Sequence, residues 1–393
     1  MSAIVPDVVP FASEAAAGGA AFVETPVPYD ALVLASFGGP EGQEDVIPFL
    51  RNVTGGRGIP DERLEEVAVH YRHFGGVSPI NQQNRELKSA LEAELAHRGI
   101  DLPVYWGNRN WTPYLDDAFT AAVADGHSTL LVLATSAYSS YSSDRQYRED
   151  IARVMTENDL GSVATADKVR LFFDHPGFVQ PFQEGVDEAV SRFVEQGIAA
   201  SDIHVLFTTH SIPTADAERS GPRDVDWGEG GAYAAQHRAV AAHIIENLGV
   251  VTGGATVPWQ LVFQSRSGPP SQPWLEPDIN DVIATLPEAG AKAVVIVPLG
   301  FISDHMEVLW DLDTEALDSA KAVGLPAVRT ATPGTHPAFV AGLVDLVVER
   351  LEGTPAAERP HATALGPWPD ISRPGDCENV RLGFKPAAAG LAP

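Results

Sequence analysis

One histidine that directly follows an apolar run and three carboxylates spaced by four are the residues of this chain best placed to do chemistry. His210 stands in Thr208-Thr209-His210-Ser211-Ile212-Pro213, at the end of the apolar run 203–209 (IHVLFTT). In open parallel sheets, ligands bind beyond the carboxyl ends of strands, so a histidine there would sit at the edge of a site. Its ring titrates near neutral pH and can take or release a proton. A loop histidine bonded to nearby backbone would give the same pattern. Glu307, Asp311 and Glu315 follow Gly300-Phe301-Ile302-Ser303-Asp304-His305-Met306. On an α-helix these three share one face, drifting by about 40° per step. Such a row of hard oxygen ligands can pass a divalent cation inward. A solvated acidic face has the same spacing: Asp304 and Glu307 fit a capping box, and acids near a helix N-terminus suit its dipole.

Three more loops carry useful residue types. Phe37-Gly38-Gly39-Pro40 follows 31–36 (ALVLAS). It looks like a phosphate loop, but it lacks the GxGxxG spacing and no Gly-Lys-Ser/Thr follows. A tight turn that lets the backbone approach a flat ligand fits it better. The segments 136–143 (SAYSSYSS) and 263–268 (FQSRSG), the latter followed by Pro273-Trp274-Leu275, mix aromatic rings with hydroxyls. That mixture suits a large, flat, amphipathic ligand; core packing with a capping turn is equally consistent.

The elements that must position these loops are legible as short apolar runs alternating with helical periodicity. Strands are expected at 31–36, 103–107, 130–135, 169–173, 203–209, 260–264, 293–298 and, more weakly, 326–331. They are nearly continuous apolar runs, as in strands covered on both faces. Helical patterns fall between them, at 85–97, 185–195 and 233–248. This alternation predicts parallel α/β sheets. Four strands precede residue 190 and four follow it, so two similar halves are expected at 28–190 and 191–336. A last helix, 337–351, is expected to cross back onto the first half. Residues 1–27 read as a loose N-terminal arm, and 353–393 as a Pro-rich, extended tail.

Composition limits the function classes. The chain has 393 residues, with 26 Lys and Arg against 53 Asp and Glu, for a net charge of −27. Its length suggests two or three domains at roughly 100–200 residues each. With 44% hydrophobic and 20% charged residues it can bury a sizeable core, which argues against global disorder. The acidic excess argues against nucleic acid and anionic membrane surfaces as partners. The single cysteine, Cys377, excludes an intrachain disulfide, an all-cysteine zinc site and a thiolate-held iron–sulfur cluster. The longest apolar stretch, near 293–302, is well short of the roughly 20 residues of a membrane helix. The N-terminal segment has no basic stretch of the secretory type. A cytoplasmic protein without membrane insertion is expected.

Together these loops resemble the ferrochelatase family, whose members insert Fe2+ into a porphyrin. The resemblance is carried by ASFGGP, HFGGVSPIN, YWGNRNWTPYLDDA, FTTHSIP, FQSRSGPPSQPWLEPD and VPLGFISDHMEVLWDLD, in family order from about residue 29 to 351. It implies two Rossmann-like halves, each a four-stranded parallel sheet flanked by helices, with a cleft between. It implies that His210 and Glu307 are catalytic and ligate the metal, with Asp311 and Glu315 as an acidic relay. It also implies porphyrin contacts for Phe37, Arg51, Tyr71, Ser78, Arg109 and Tyr138. Phe37 matches a position that is Tyr in some bacterial members, and Arg109 one that is often basic. Arg51, Tyr71 and Ser78 lie in segments that hold propionates or line the rim, and Tyr138 in the loop over the macrocycle.

The run TSAYSSYSS with QYRED after it is most like the actinobacterial branch. That likeness implies coproporphyrin III as substrate, giving an iron coproporphyrin later decarboxylated to haem. Protoporphyrin IX, a cobalt chelatase of the same fold and a non-catalytic tetrapyrrole carrier stand as alternatives. A dehydrogenase, suggested by the α/β pattern alone, lacks its GxGxxG. Many members of the branch hold a 2Fe–2S cluster, but Asp144 stands where they have a cysteine. A clusterless member with no permanently bound cofactor is expected. Its partners would be the porphyrin and ferrous iron as substrates, with room for transient contact with neighbouring haem-pathway enzymes, and it would be a monomer.

Porphyrin metallation releases two pyrrole N–H protons, so it needs a base that is largely unprotonated near neutral pH. A histidine of ordinary pKa, about 6.5, meets that need. Fe2+ is borderline in softness and suits an imidazole–carboxylate pair. Cleft walls that bend the macrocycle would expose its nitrogen lone pairs, and Arg51, Tyr71 and Ser78 could supply donors to propionates.

Overall fold

The computed structural model describes residues 20–55, 58–248, 256–268, 271–372, 375–378, 383 and 385–388. Most of the N-terminal arm and the end of the tail lie outside them. In the first half the chain runs β1 (Ala31–Ser36), α1 (Val46–Val53), α2 (Asp61–His73), α3 (Ile80–His97), β2 (Val104–Asn108), α4 (Leu115–Ala124), β3 (Thr129–Ala134), α5 (Gln146–Glu157) and β4 (Thr165–Lys168). The helix α6 (Pro176–Glu195) leads to the second half: β5 (Ile203–His210), α7 (Thr214–Ala217), α8 (Gly231–Glu246), β6 (Trp259–Gln264), α9 (Ile279–Thr285), β7 (Ala293–Val297), α10 (Met306–Trp310), α11 (Leu317–Ala322) and β8 (Ala327–Arg329). The chain then enters α12 (Pro337–Glu352), which packs against α3 and α6.

The two sheets have the same plan. Their orders are β2-β1-β3-β4 and β6-β5-β7-β8, and every pair is parallel. In each, the first and third strands lie side by side and their connections leave in opposite directions. The carboxyl ends of β1 and β3, and of β5 and β7, are therefore the two switch points where ligands bind in such sheets.

Strand alternation builds the core. Leu32 and Leu34 of β1 share one large cluster with Val205 and Phe207 of β5, Val295 and Val297 of β7, and Phe339 and Leu343 of α12. The intervening Ala31, Val33 and Ala35 point to a separate outer core of the first half, as the period of two requires. Leu206, Val294 and Ile296 do the same in the second half. One core thus spans both halves and fixes the two sheets relative to each other.

Two expectations are corrected. The fourth strand is Thr165–Lys168, not 169–173. Its polar TADK sequence hides it, because Asp167 and Lys168 are buried as ion pairs with Arg350 and Asp144. The apolar 169–173 instead leaves the sheet, and Phe172 and Phe173 pack into the shared core. Residues 20–27 are not loose. Val23 is fully buried, its N–H donates to Asp370, and its carbonyl accepts from Arg359.

Candidate active site

His210 is the last residue of β5, at the switch point of the second sheet. Its backbone carbonyl accepts a hydrogen bond from the Tyr233 hydroxyl on α8 at 2.9 Å. Its Nδ1 faces the Ser211 carbonyl, which leaves Nε2 turned to Glu307 Oε1 at 3.4 Å. The Trp274 ring lies 6.5 Å away, centroid to centroid.

Glu307 stands in the first turn of α10, after the loop that follows β7. His305, rather than Asp304, caps α10: its Nδ1 accepts the Glu307 N–H at 3.2 Å. The capping box expected from Asp304 and Glu307 does not form, because Asp304 is drawn to Arg329 (3.1 Å) and Thr332 (3.0 Å).

The acidic row does not continue on a regular α-helix. From Asp311 to Ala316 the chain makes a π turn, a geometry often found at functional sites. The Thr314 hydroxyl donates to the Leu309 carbonyl, five residues back, at 3.1 Å. Asp311 accepts from the Ser265 hydroxyl. Glu315 accepts from Trp310 Nε1 at 2.8 Å, and the Trp310 ring stacks on His70 of α2, with centroids 4.1 Å apart and planes within 8°. The row therefore runs outward from His210 and ends where the second half touches α2 of the first.

Electrostatics couple the row. Burial opposes charge on His210, but the Glu307 carboxylate outweighs it and lifts the imidazole to about 9. Burial likewise opposes the Glu307 carboxylate, yet His210 holds it down to about 2. The ligand-free site thus contains an imidazolium–carboxylate pair at neutral pH, not the largely neutral histidine expected from its ordinary pKa. Asp311 moves the other way. Burial, aided by the charge of Glu307, raises it to about 7 although Ser265 donates to it. His305 is pushed down by burial and by the neighbouring His210, so it stays neutral beside the pair.

The first half supplies an aromatic wall. Phe37, just beyond β1, is 39% exposed and meets Phe49 of α1 edge-on at 6.3 Å. Phe49 contacts Tyr71 of α2 and Trp111. Burial, then the carboxylates of Glu307 and Asp311, push the Tyr71 phenol up, so Tyr71 lies by the acidic row. The turn under Phe37 needs its glycines. Gly38 has φ of 83°, and a Cβ on Gly39 would meet Ser78 at 2.7 Å.

The structure thus brings together His210, Glu307, Asp311, Glu315 and Tyr71, with Phe37 on the adjoining wall. Ser78 is buried against that turn, its N–H on the Pro40 carbonyl. Three other residues singled out in the sequence are engaged elsewhere. Arg51 is exposed and paired with Asp61 at 2.7 Å. Arg109 is buried, paired with Asp150 and lying over the Tyr147 ring at 3.9 Å. Tyr138 is in the core, stacked on His237 at 3.5 Å. Sequence reading missed Gln264, Ser265, Tyr233 and His305 as members of the site. The first two lie in the FQSRSG loop already noted for its hydroxyls, and His305 in the loop before the acids.

A parallel α/β pair of sheets thus carries an imidazole–carboxylate pair at one switch point and a carboxylate row leading from it, donors of the types that bind divalent cations. A sequence model of the ferrochelatase family matches residues 29–351. The coproporphyrin III ferrochelatase of Leifsonia xyli subsp. xyli is 66% identical, over 97% of this chain and 99% of its own. Those of Tropheryma whipplei (strain Twist) and Streptomyces griseus subsp. griseus are 58% identical, over 93% of each chain, and 53% identical, over 93% and 97%. The chain belongs to the ferrochelatase family.

Proposed function

We infer that this chain inserts Fe2+ into coproporphyrin III, giving iron coproporphyrin and releasing two protons. The observation that carries the reading is the His210–Glu307 pair, at 3.4 Å with both side chains partly exposed, continued outward by Asp311 and Glu315. The names of the relatives above support coproporphyrin III as the macrocycle.

His210 faces the ring nitrogens and Glu307 backs it. Before substrate binds, the pair stores one proton as an ion pair. A bound macrocycle displaces water from it, and a less polar environment favours the neutral forms. The proton then shifts from His210 to Glu307 and out through Asp311 to solvent, and the freed imidazole accepts the two pyrrole protons in turn, each leaving by the same route. Asp311, near 7, is half-loaded at neutral pH and can take up or release a proton. Fe2+ travels inward along the same row as the protons leave outward, so the pair is deprotonated when it holds the ion and passes it to the two deprotonated nitrogens. Phe37 and Tyr71 bear on the ring face. Arg51, exposed on the first half and paired with Asp61 at 2.7 Å, reaches a propionate. Both members of the pair come from one chain, which fits a monomer. No helix among the described residues is long and apolar enough to cross a membrane, and the reading places the enzyme in the cytoplasm.

The test is an anaerobic absorbance assay with purified protein, Fe2+ and either coproporphyrin III or protoporphyrin IX. Fast metallation of the first with little of the second is expected. Preference for protoporphyrin IX would reject the substrate, and porphyrin binding without metallation would reject the reaction.

A further inference from the structure

Gln264 connects the two members of the reacting pair. It ends β6 and stands opposite His210 in the strand register. Its side chain is buried, with the residue 1% exposed. Oε1 accepts from the Thr208 hydroxyl at 2.9 Å, and Nε2 donates to the backbone carbonyl of Glu307 at 2.9 Å. Its own carbonyl accepts the Ser211 N–H at 2.7 Å. One amide therefore ties the strand that carries His210 to the first turn of α10, which carries Glu307, while the backbone bond holds the residue just after His210. The next residue, Ser265, has φ of 61°, a left-handed conformation that costs a serine energy and collects at functional sites. Its hydroxyl turns to Asp311.

We propose that Gln264 is a positioning residue for metal insertion, setting the Glu307 carboxylate against the His210 imidazole without touching substrate or metal. This rests on the reading of His210 and Glu307 as the reacting pair. The bridge requires a donor and an acceptor at fixed spacing, which a primary amide provides. Glutamate, equal in length, would set an acceptor against the Glu307 carbonyl and bury a charge. Leucine would fill the space and make neither bond. Misplacing a reacting group by about 1 Å can cost on the order of 100-fold in rate.

The experiment measures kcat and KM for iron insertion into coproporphyrin III, with single-turnover rates at high enzyme concentration for slow variants. It compares wild type, Q264L, Q264E, E307Q and Q264L/E307Q, each checked by thermal melting and by quenching of porphyrin fluorescence. Q264L is expected to lose roughly 10–100-fold in kcat with porphyrin KM within about twofold. In the E307Q background the same change should cost nothing further, because a residue acting through Glu307 has nothing left to position. A Q264L enzyme with wild-type kcat would overturn the proposal. So would losses that multiply in the double variant, the signature of an independent structural role. If Q264L fails to fold, Q264E decides: a folded Q264E with full kcat overturns the role, and one with the same loss supports it. A wild-type enzyme that binds coproporphyrin III without metallating it would reject the pair's assignment, and the positioning role with it. That outcome is distinct from a clamp that fails in an active enzyme.

Discussion

His210 and Glu307 show how far a neighbour can move a side chain from its ordinary chemistry. Burial alone would strip the proton from His210; the carboxylate 3.4 Å away keeps it on to about pH 9. Removing His210 should therefore remove both the base and the inner ligand. His210→Ala is expected to lower kcat by at least about 100-fold, within the range of acid–base groups, with coproporphyrin binding retained in a fluorescence titration. Undiminished turnover would reject the assignment. Glu307→Gln makes a separate prediction. Without the carboxylate, His210 should titrate near or below its ordinary value of about 6.5, measurable by NMR of the ring protons. The sign carries over to stability. A histidine whose folded pKa is raised stabilises the fold fully below the unfolded value and loses that contribution as pH rises through the folded one. Wild type should thus lose stability between about pH 6.5 and 9, and E307Q should lose less over the same window. Parallel melting curves would contradict this.

Among the elements, the π turn at Asp311–Ala316 decides where the acidic row points. Asp311→Ala and Glu315→Ala should each raise the KM for Fe2+ more than the KM for porphyrin, since both would act on the ion on its way to the pair rather than on the macrocycle. Equal rises in both would reject the relay. The row of acids was legible in the sequence because spacing by four survives in any helix-like turn. The π turn was not legible, because contacts distant in sequence accompany it: Trp310 on His70, and Arg329 holding Asp304 and Asp313. The same arginine explains why the capping box failed. Hydropathy found the central strands, whose both faces are apolar, but not β4, whose buried side chains are charged. Position marked His210 as a candidate, and the structure sets it 3.4 Å from Glu307. Its protonation state was hidden because the responsible carboxylate follows a different strand.

For the whole molecule, the question is what holds the tail against the two halves, since much of that contact is ionic. Arg359 of the tail meets Glu349 of α12 at 3.9 Å, Asp370 of the tail meets Arg350 of α12 at 3.7 Å, and Arg359 and Asp370 bind each other at 2.7 Å, all buried. Asp144 sits in the same layer. It pairs with Arg148 at 3.1 Å and Lys168 at 3.2 Å, and accepts from Ser372 of the tail at 2.6 Å. Cys377 lies beside it, its thiol pushed up by burial and by Asp144, so it is an inert thiol. The residue that stands where the resemblance implies a cluster cysteine thus joins an ionic latch. Buried ions are costly, and breaking a pair strands its partners, at about 3–5 kcal/mol. Asp144→Asn should therefore lower stability by about that amount in chemical denaturation, with kcat near wild type well below the melting temperature, because the pair at His210 is built from other elements. Burial would raise the Asp144 carboxyl, but Arg148 and Lys168 hold it well below the ordinary carboxylate range. A depressed acid stabilises above its unfolded pKa of about 3.9 and loses that contribution as pH falls further. Wild type should accordingly lose stability steeply below about pH 4, and D144N, lacking the group, should show a shallower acid limb. An unchanged melt with an unchanged acid limb would mean that the tail is held by its other ion pairs and that Asp144 is dispensable.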